Sequence, residues 1–161
     1  MVCVIIDTNL AFYIFTSAPE DDFRPVFEWL HAPDKDGCLV FGGRLSKELS
    51  NRAESLRYLR ALLQAGRAYQ IPDATLQSEE RKVIFSGLCQ SDDPHVVALA
   101  RVSGARILCS DDRDLWRDFR NSKLISKPRG RVYRRSATHT ILLHHDSCCP
   151  RGGKKRRRRR P

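Results

Sequence analysis

The chain has 161 residues, 41% of them hydrophobic and 30% charged, enough for one packed core with an extension and too structured in composition for a disordered protein. Its net charge of +10 is local: residues 151–161 hold eight Lys and Arg and no acid, whereas residues 1–128 sum to −1. No stretch approaches the roughly 20 apolar residues of a membrane span, and the basic end is drawn to any polyanion, RNA, DNA or acidic lipid alike.

In chain order, Val2–Ile6 is a continuous β-branched run, as in a strand buried on both faces. Residues 10–15 and 22–30 form helices, and 37–41 a second strand. After Gly42 and Gly43, Leu45, Leu49, Leu56, Leu59 and Leu63 recur at helical spacing and predict one long helix to about Ala65, closed by Gly66. Ala68–Ile71 is a third strand stopped by Pro72, residues 74–88 an irregular helix, and Pro94–Ser103 an amphipathic one. Residues 106–109 give a fourth strand, 115–119 another helix, and 130–133 a fifth strand at the sheet edge. This alternation predicts an α/β fold, a three-layer α/β/α sandwich around a mostly parallel sheet. Periodicity ends near Arg134, so residues 1–133 form the domain and 134–161 an irregular extension ending in a disordered Lys/Arg tail.

Cys3, Cys38, Cys89 and Cys109 lie in or beside apolar runs with no regular spacing, and read as small buried hydrophobes in a reducing compartment. The apolar run before Asp7 is too short and uncharged for a signal peptide, so a cytoplasmic chain without membrane contact is expected.

Four acids stand out. Asp7 follows the first strand, Asp93 precedes Pro94 at a helix start, Asp112 follows the fourth strand, and Glu48 lies on the mid-chain helix. In an open parallel sheet the strand carboxyl ends and helix starts share one edge, where ligands bind. Capping explains each of the three Asp residues singly, and solvation explains Glu48. Capping does not call for acids at every one of these places. Clustered carboxylates repel one another without a cation, and all-oxygen ligation suits Mg²⁺ or Mn²⁺.

The succession Asp7-Thr-Asn9, Ser46-Lys-Glu48-Leu, Asp93-Pro-His-Val-Val-Ala-Leu-Ala100 and Ser110-Asp-Asp112-Arg-Asp114-Leu resembles the PIN-domain nucleases over residues 1 to about 120. The resemblance implies Mg²⁺- or Mn²⁺-dependent phosphodiester hydrolysis, usually of RNA, by Asp7, Glu48, Asp93 and Asp112. Asp114 takes the place of a frequent extra metal-binding acid, and Asn9 and Ser110 the polar supporting positions. Asp92 and Asp111 are the adjacent-register acids beside Asp93 and Asp112. Many small members are VapC-type toxins paired with an antitoxin; this chain differs by its extension beyond Arg129 and its Arg run. Cleavage of DNA and a non-catalytic nucleic-acid-binding module are the alternatives. A haloacid-dehalogenase-type phosphatase fits worse because Asn9 stands where a second Asp is needed, and a receiver domain because Asp7 lacks an acidic neighbour.

In the tail, Lys154, Lys155, Arg156, Arg157, Arg158, Arg159 and Arg160 are expected to attract a phosphate backbone, and a nuclear-localisation signal fits the same composition. His139, His144, His145, Asp146, Cys148 and Cys149 are dense potential zinc ligands whose spacing matches no standard finger. His95 is expected near the acids or facing solvent. Phe12, Tyr13 and Phe15 are expected in the core or at a homodimer interface.

Overall fold

The structure, a computed structural model, describes residues 1–144. The tail arginines and lysines, His145, Asp146, Cys148 and Cys149 lie outside the described residues.

Among the described residues, five strands form one sheet in the order β3-β2-β1-β4-β5: β1 (Val2–Ile6), β2 (Gly37–Gly42), β3 (Ala68–Ile71), β4 (Ile107–Cys109) and β5 (Arg131–Tyr133). Every pairing is parallel. All of β1 and β2 and the three residues of β4 are buried, which is why their sequences read as unbroken apolar runs rather than alternating ones. Seven α-helices accompany them: α1 (Thr8–Ile14), α2 (Arg24–His31), α3 (Gly43–Ser50), α4 (Ala53–Gln64), α5 (Asp73–Phe85), α6 (Pro94–Ser103) and α7 (Arg113–Arg120). A 3-10 helix follows at Ala137–His144. None of these helices is long and apolar enough to cross a membrane.

The expected edge strand is present as β5, tied back to the entry of α2 by the Tyr133 hydroxyl, which donates to the Asp22 carbonyl at 2.7 Å. Gly130, just before β5, sits where a Cβ would overlap the Phe119 carbonyl oxygen, so only glycine lets the strand approach α7 this closely. Gly66 closes α4 in the left-handed region, φ +68°, as predicted.

One element differs. The single helix predicted from 43 to about 65 is two, α3 and α4, separated by Asn51 and an extended Arg52. Ser50 Oγ donates to the Ser46 carbonyl at 2.8 Å, a back-bond that favours helix termination, and the Arg52 guanidinium lies 3.5 Å from the Phe12 ring centroid. The break resets the buried face of α4 to Leu59 and Leu62, and Leu63 is exposed.

Cys38, Cys89 and Cys109 are free thiols, as expected. Cys3 is disulfide-bonded, which corrects its reading as a reduced hydrophobe. Phe15 is in the core; Phe12 and Tyr13 instead carry Arg52 and Arg135 over their rings.

Candidate functional site: an acidic sheet edge

The strand order reverses direction between β1 and β4, the place in an open α/β sheet where a crevice forms beyond the strand ends. Register brings two site residues together there. Ile6 pairs with Cys109, and the Asp7 amide donates to the Cys109 carbonyl at 2.9 Å. Asp7 and Ser110 therefore leave adjacent strands side by side. Ser110 is fully buried; its hydroxyl donates to Asp7 Oδ2 at 3.0 Å and accepts from the Asp112 amide at 3.0 Å. One serine thus fixes the spacing of two acids. The Trp116 indole holds it in turn, donating to the Ser110 carbonyl at 2.6 Å.

Asp112 is the N-cap of α7, its Oδ1 accepting from the amides of Asp114 and Leu115 at 2.9 and 3.2 Å. Asp7 and Asp93 occupy the N-cap positions of α1 and α6, but neither side chain makes a cap hydrogen bond. Capping accounts for Asp112 and leaves Asp7 and Asp93 unexplained.

Glu48 arrives on α3, which packs against α1 and α6. Thr8 Oγ1 donates to Glu48 Oε2 at 2.7 Å, and Arg44 Nε to Oε1 at 2.9 Å. His95, on the first turn of α6, is buried, with Nδ1 3.9 Å from Asp93 Oδ1 and without a hydrogen-bond partner among the described residues. The alternative that His95 faces solvent is thereby corrected.

The electrostatics join the four acids. Burial pushes the Asp7 carboxyl above the ordinary range; the Ser110 hydroxyl opposes this, and the charges of Asp93 and Asp112 add to it. The Asp93 carboxyl is also raised, first by burial, with His95 and Arg44 opposing and Asp112 and Glu48 adding. Glu48 goes the other way: burial alone would raise it, but the bonds from Thr8 and Arg44 outweigh that and hold it low. Burial lowers His95 despite the pull of Asp93, which favours the neutral imidazole.

Of the other predicted residues, Ser110 is fully engaged. Asn9 is exposed on α1, and it is Thr8 next to it that reaches Glu48. Asp92 is exposed; Asp114, also exposed, is 3.5 Å from Arg117. Asp111 is drawn aside into an ion pair with Arg135 at 2.9 Å. Of the two register choices, Asp112 is therefore the one that couples to Asp7 and Asp93. His139 accepts from the Arg134 amide, and no group of three potential metal ligands, zinc or otherwise, is assembled among the described residues.

Sequence reasoning missed Asp118. It is buried on α7, and its carboxylate accepts from the amides of Gln90 and Ser91 at 2.9 and 2.8 Å and from the Cys89 thiol at 3.1 Å. Burial would raise its pKa, but these bonds outweigh it and keep the carboxyl low. Helix α7 thus carries Asp112 at its start and, through Asp118, grips the loop that delivers Asp93. An acid at a position flanked by Arg117 and Phe119 on an amphipathic helix gave the only hint, since Leu115 and Phe119 mark the same buried side.

No protein-family model matches the chain, and no curated protein does. Among solved structures, the fold is similar to VapBC2 from Rickettsia felis bound to a DNA fragment from their promoter. The likeness has 14% sequence identity and a TM-score of 0.42, and covers 83% of this chain and 98% of that one. A likeness that distant carries no functional weight. The functional reading rests on the residues.

Proposed function

We propose that this chain is a PIN-type endonuclease, dependent on Mg²⁺ or Mn²⁺, that hydrolyses phosphodiester bonds of single-stranded RNA. The observation that carries the reading is the geometry at the β1/β4 switch, where one serine joins Asp7 to the Asp112 backbone, Thr8 beside Asp7 holds Glu48, and neither Asp7 nor Asp93 is engaged in capping.

The donors are hard carboxylate oxygens, and the raised Asp7 and Asp93 carboxyls are what a divalent cation would relieve. No three ligands are close enough to share one ion directly among the described residues. Mg²⁺ ordinarily keeps several waters and takes one or two carboxylates, so it does not require a cage of three protein ligands.

Asp7, Asp93 and Asp112 would hold the cation, directly or through water, with Asp114 as a further acid on the same helix start. When bound, the cation supplies charge neutralisation and Lewis acidity toward a phosphodiester. Glu48, whose carboxyl is held low by the bonds from Thr8 and Arg44, would hold a water of the cation or orient the attacking water. Ser110 sets the Asp7–Asp112 spacing, while Asn9, Asp92 and Asp111 would be at most supporting polar groups. The family resemblance adds an antitoxin to this reading.

The alternative is a non-catalytic nucleic-acid-binding module. A panel of single- and double-stranded RNA and DNA, incubated with Mn²⁺ and with Mn²⁺ plus chelator, separates the two. Chelator-sensitive cleavage of single-stranded RNA is expected. Binding without cleavage would establish the module, and cleavage confined to DNA would reassign the substrate.

A further inference from the structure

The described part of the molecule is not uniformly acidic at this edge. Two adjoining concavities, of about 370 and 240 Å³, share Arg134 and His139 along the outer flank of β5. The first reaches Asp111, next to Asp112; the second continues past Arg131 to Arg120 at the end of α7. Arg120, Arg131 and Arg134 are exposed and form no ion pair with an acid among the described residues. Two of them, Arg120 and Arg134, are held in place. Arg120 Nε donates to the Trp116 carbonyl at 3.2 Å, the Arg134 amide donates to His139 Nδ1 at 3.0 Å, and the Arg134 guanidinium lies 5.3 Å from the Trp116 ring centroid. Where the groove meets the acidic edge, Asp111 is already neutralised by Arg135.

We infer that this groove holds the phosphate backbone of a single-stranded nucleic acid and leads it to the acidic edge, with Arg120, Arg131 and Arg134 as the phosphate contacts. The assignment rests on the nuclease reading for its destination and on the groove itself for its ligand. A polyanion approaching four linked carboxylates is repelled, so its attraction has to come from beside them, and the β5 flank supplies unpaired arginines there. Guanidinium suits phosphate because its planar fork donates two parallel hydrogen bonds. The concave outline fits an extended strand, whereas a lipid surface is met by an apolar face lying flat against the headgroups.

The test uses the full chain and a fluorescein-labelled single-stranded RNA of about 12 nucleotides, with anisotropy read in EDTA across a KCl series. The combined variant Arg120→Ala, Arg131→Ala, Arg134→Ala should bind at least about tenfold more weakly, with a log Kd against log[salt] slope shallower by about 2. The corresponding lysine variant should recover most of the slope, which a loss of folding would not allow. Wild-type affinity and slope in the alanine variant would overturn the assignment. So would a variant that keeps its RNA binding and loses only binding to vesicles of anionic phosphatidylserine. The nuclease reading is tested apart, by Mn²⁺-dependent cleavage at saturating RNA: absence of cleavage with a groove-dependent affinity sinks the nuclease and keeps the groove, and the converse pattern does the reverse.

Discussion

Asp7 and Asp93 are the pivotal residues, because burial of their carboxylates is unfavourable and capping does not offset it. Both are raised in the folded chain, so each contributes stability that is complete below the ordinary carboxylate value of 3.8 and is lost as pH rises through its raised value. Ionising them in place is unfavourable without a cation. In EDTA, Asp7→Asn should therefore gain melting temperature relative to wild type as pH increases from about 4 to 7. Melting curves across that range check the sign, and a difference that is flat with pH would mean that neither burial nor the neighbouring charges destabilise the ionised Asp7. At saturating Mn²⁺ the same variant should lose the wild type's metal-dependent stabilisation. Some of this was legible from residue identity alone: an acid after each of two strands and one before Pro94. The Ser110 bridge follows from register and was anticipated only as a polar supporting position. Thr8 was overlooked for its neighbour Asn9, because which of two adjacent polar residues turns toward α3 depends on helix phase rather than on composition.

Helix α7 does more than present Asp112. Through Asp118 it fastens the backbone of Gln90 and Ser91, and so sets where Asp93 stands relative to Asp112. Asp118→Ala leaves two amides and a thiol without their acceptor and should cost about 1–3 kcal/mol of stability. It should also lower kcat more than it raises KM, whereas Asp118→Asn, which keeps one acceptor oxygen, should restore a substantial part of both. Chemical denaturation and steady-state kinetics on one set of variants provide the check; an alanine variant with unchanged kcat would reduce Asp118 to a structural anchor. The elements themselves were largely readable, since buried parallel strands leave continuous apolar runs and Gly66 marks a helix end. The break at Asn51 and Arg52 was not, because Leu49 and Leu56 are seven residues apart and remain in phase across it. Local bonds from Ser50 and the stacking of Arg52 on Phe12 decide the break, and neither has a periodic signature.

For the whole molecule, the contrast lies between an acidic edge, a basic flank along β5 and the basic residues 151–161. Deleting residues 151–161 removes eight positive charges and none of the proposed cation-holding residues. It should weaken RNA binding and flatten its salt dependence by about 0.7 for each phosphate no longer neutralised, yet leave cleavage at saturating RNA intact. Loss of saturating cleavage in that deletion would mean that the tail takes part in the site. The net charge of +10 pointed to a polyanion from the first, but composition located the attraction only in the tail. The arginines of α7 and β5 are dispersed in sequence and meet only through the β4–β5 pairing.

Everything proposed for this edge requires that four acids distant in sequence act as one cation site. Calorimetric titration of Mn²⁺ into wild type, Asp7→Asn, Asp93→Asn and Asp112→Asn addresses that requirement without relying on catalysis. Saturable binding to the wild type is expected, weakened by each single substitution at least about tenfold, or 1.4 kcal/mol. Absence of saturable binding in the wild type, or binding that Asp7→Asn and Asp93→Asn leave unchanged, would refute the shared site.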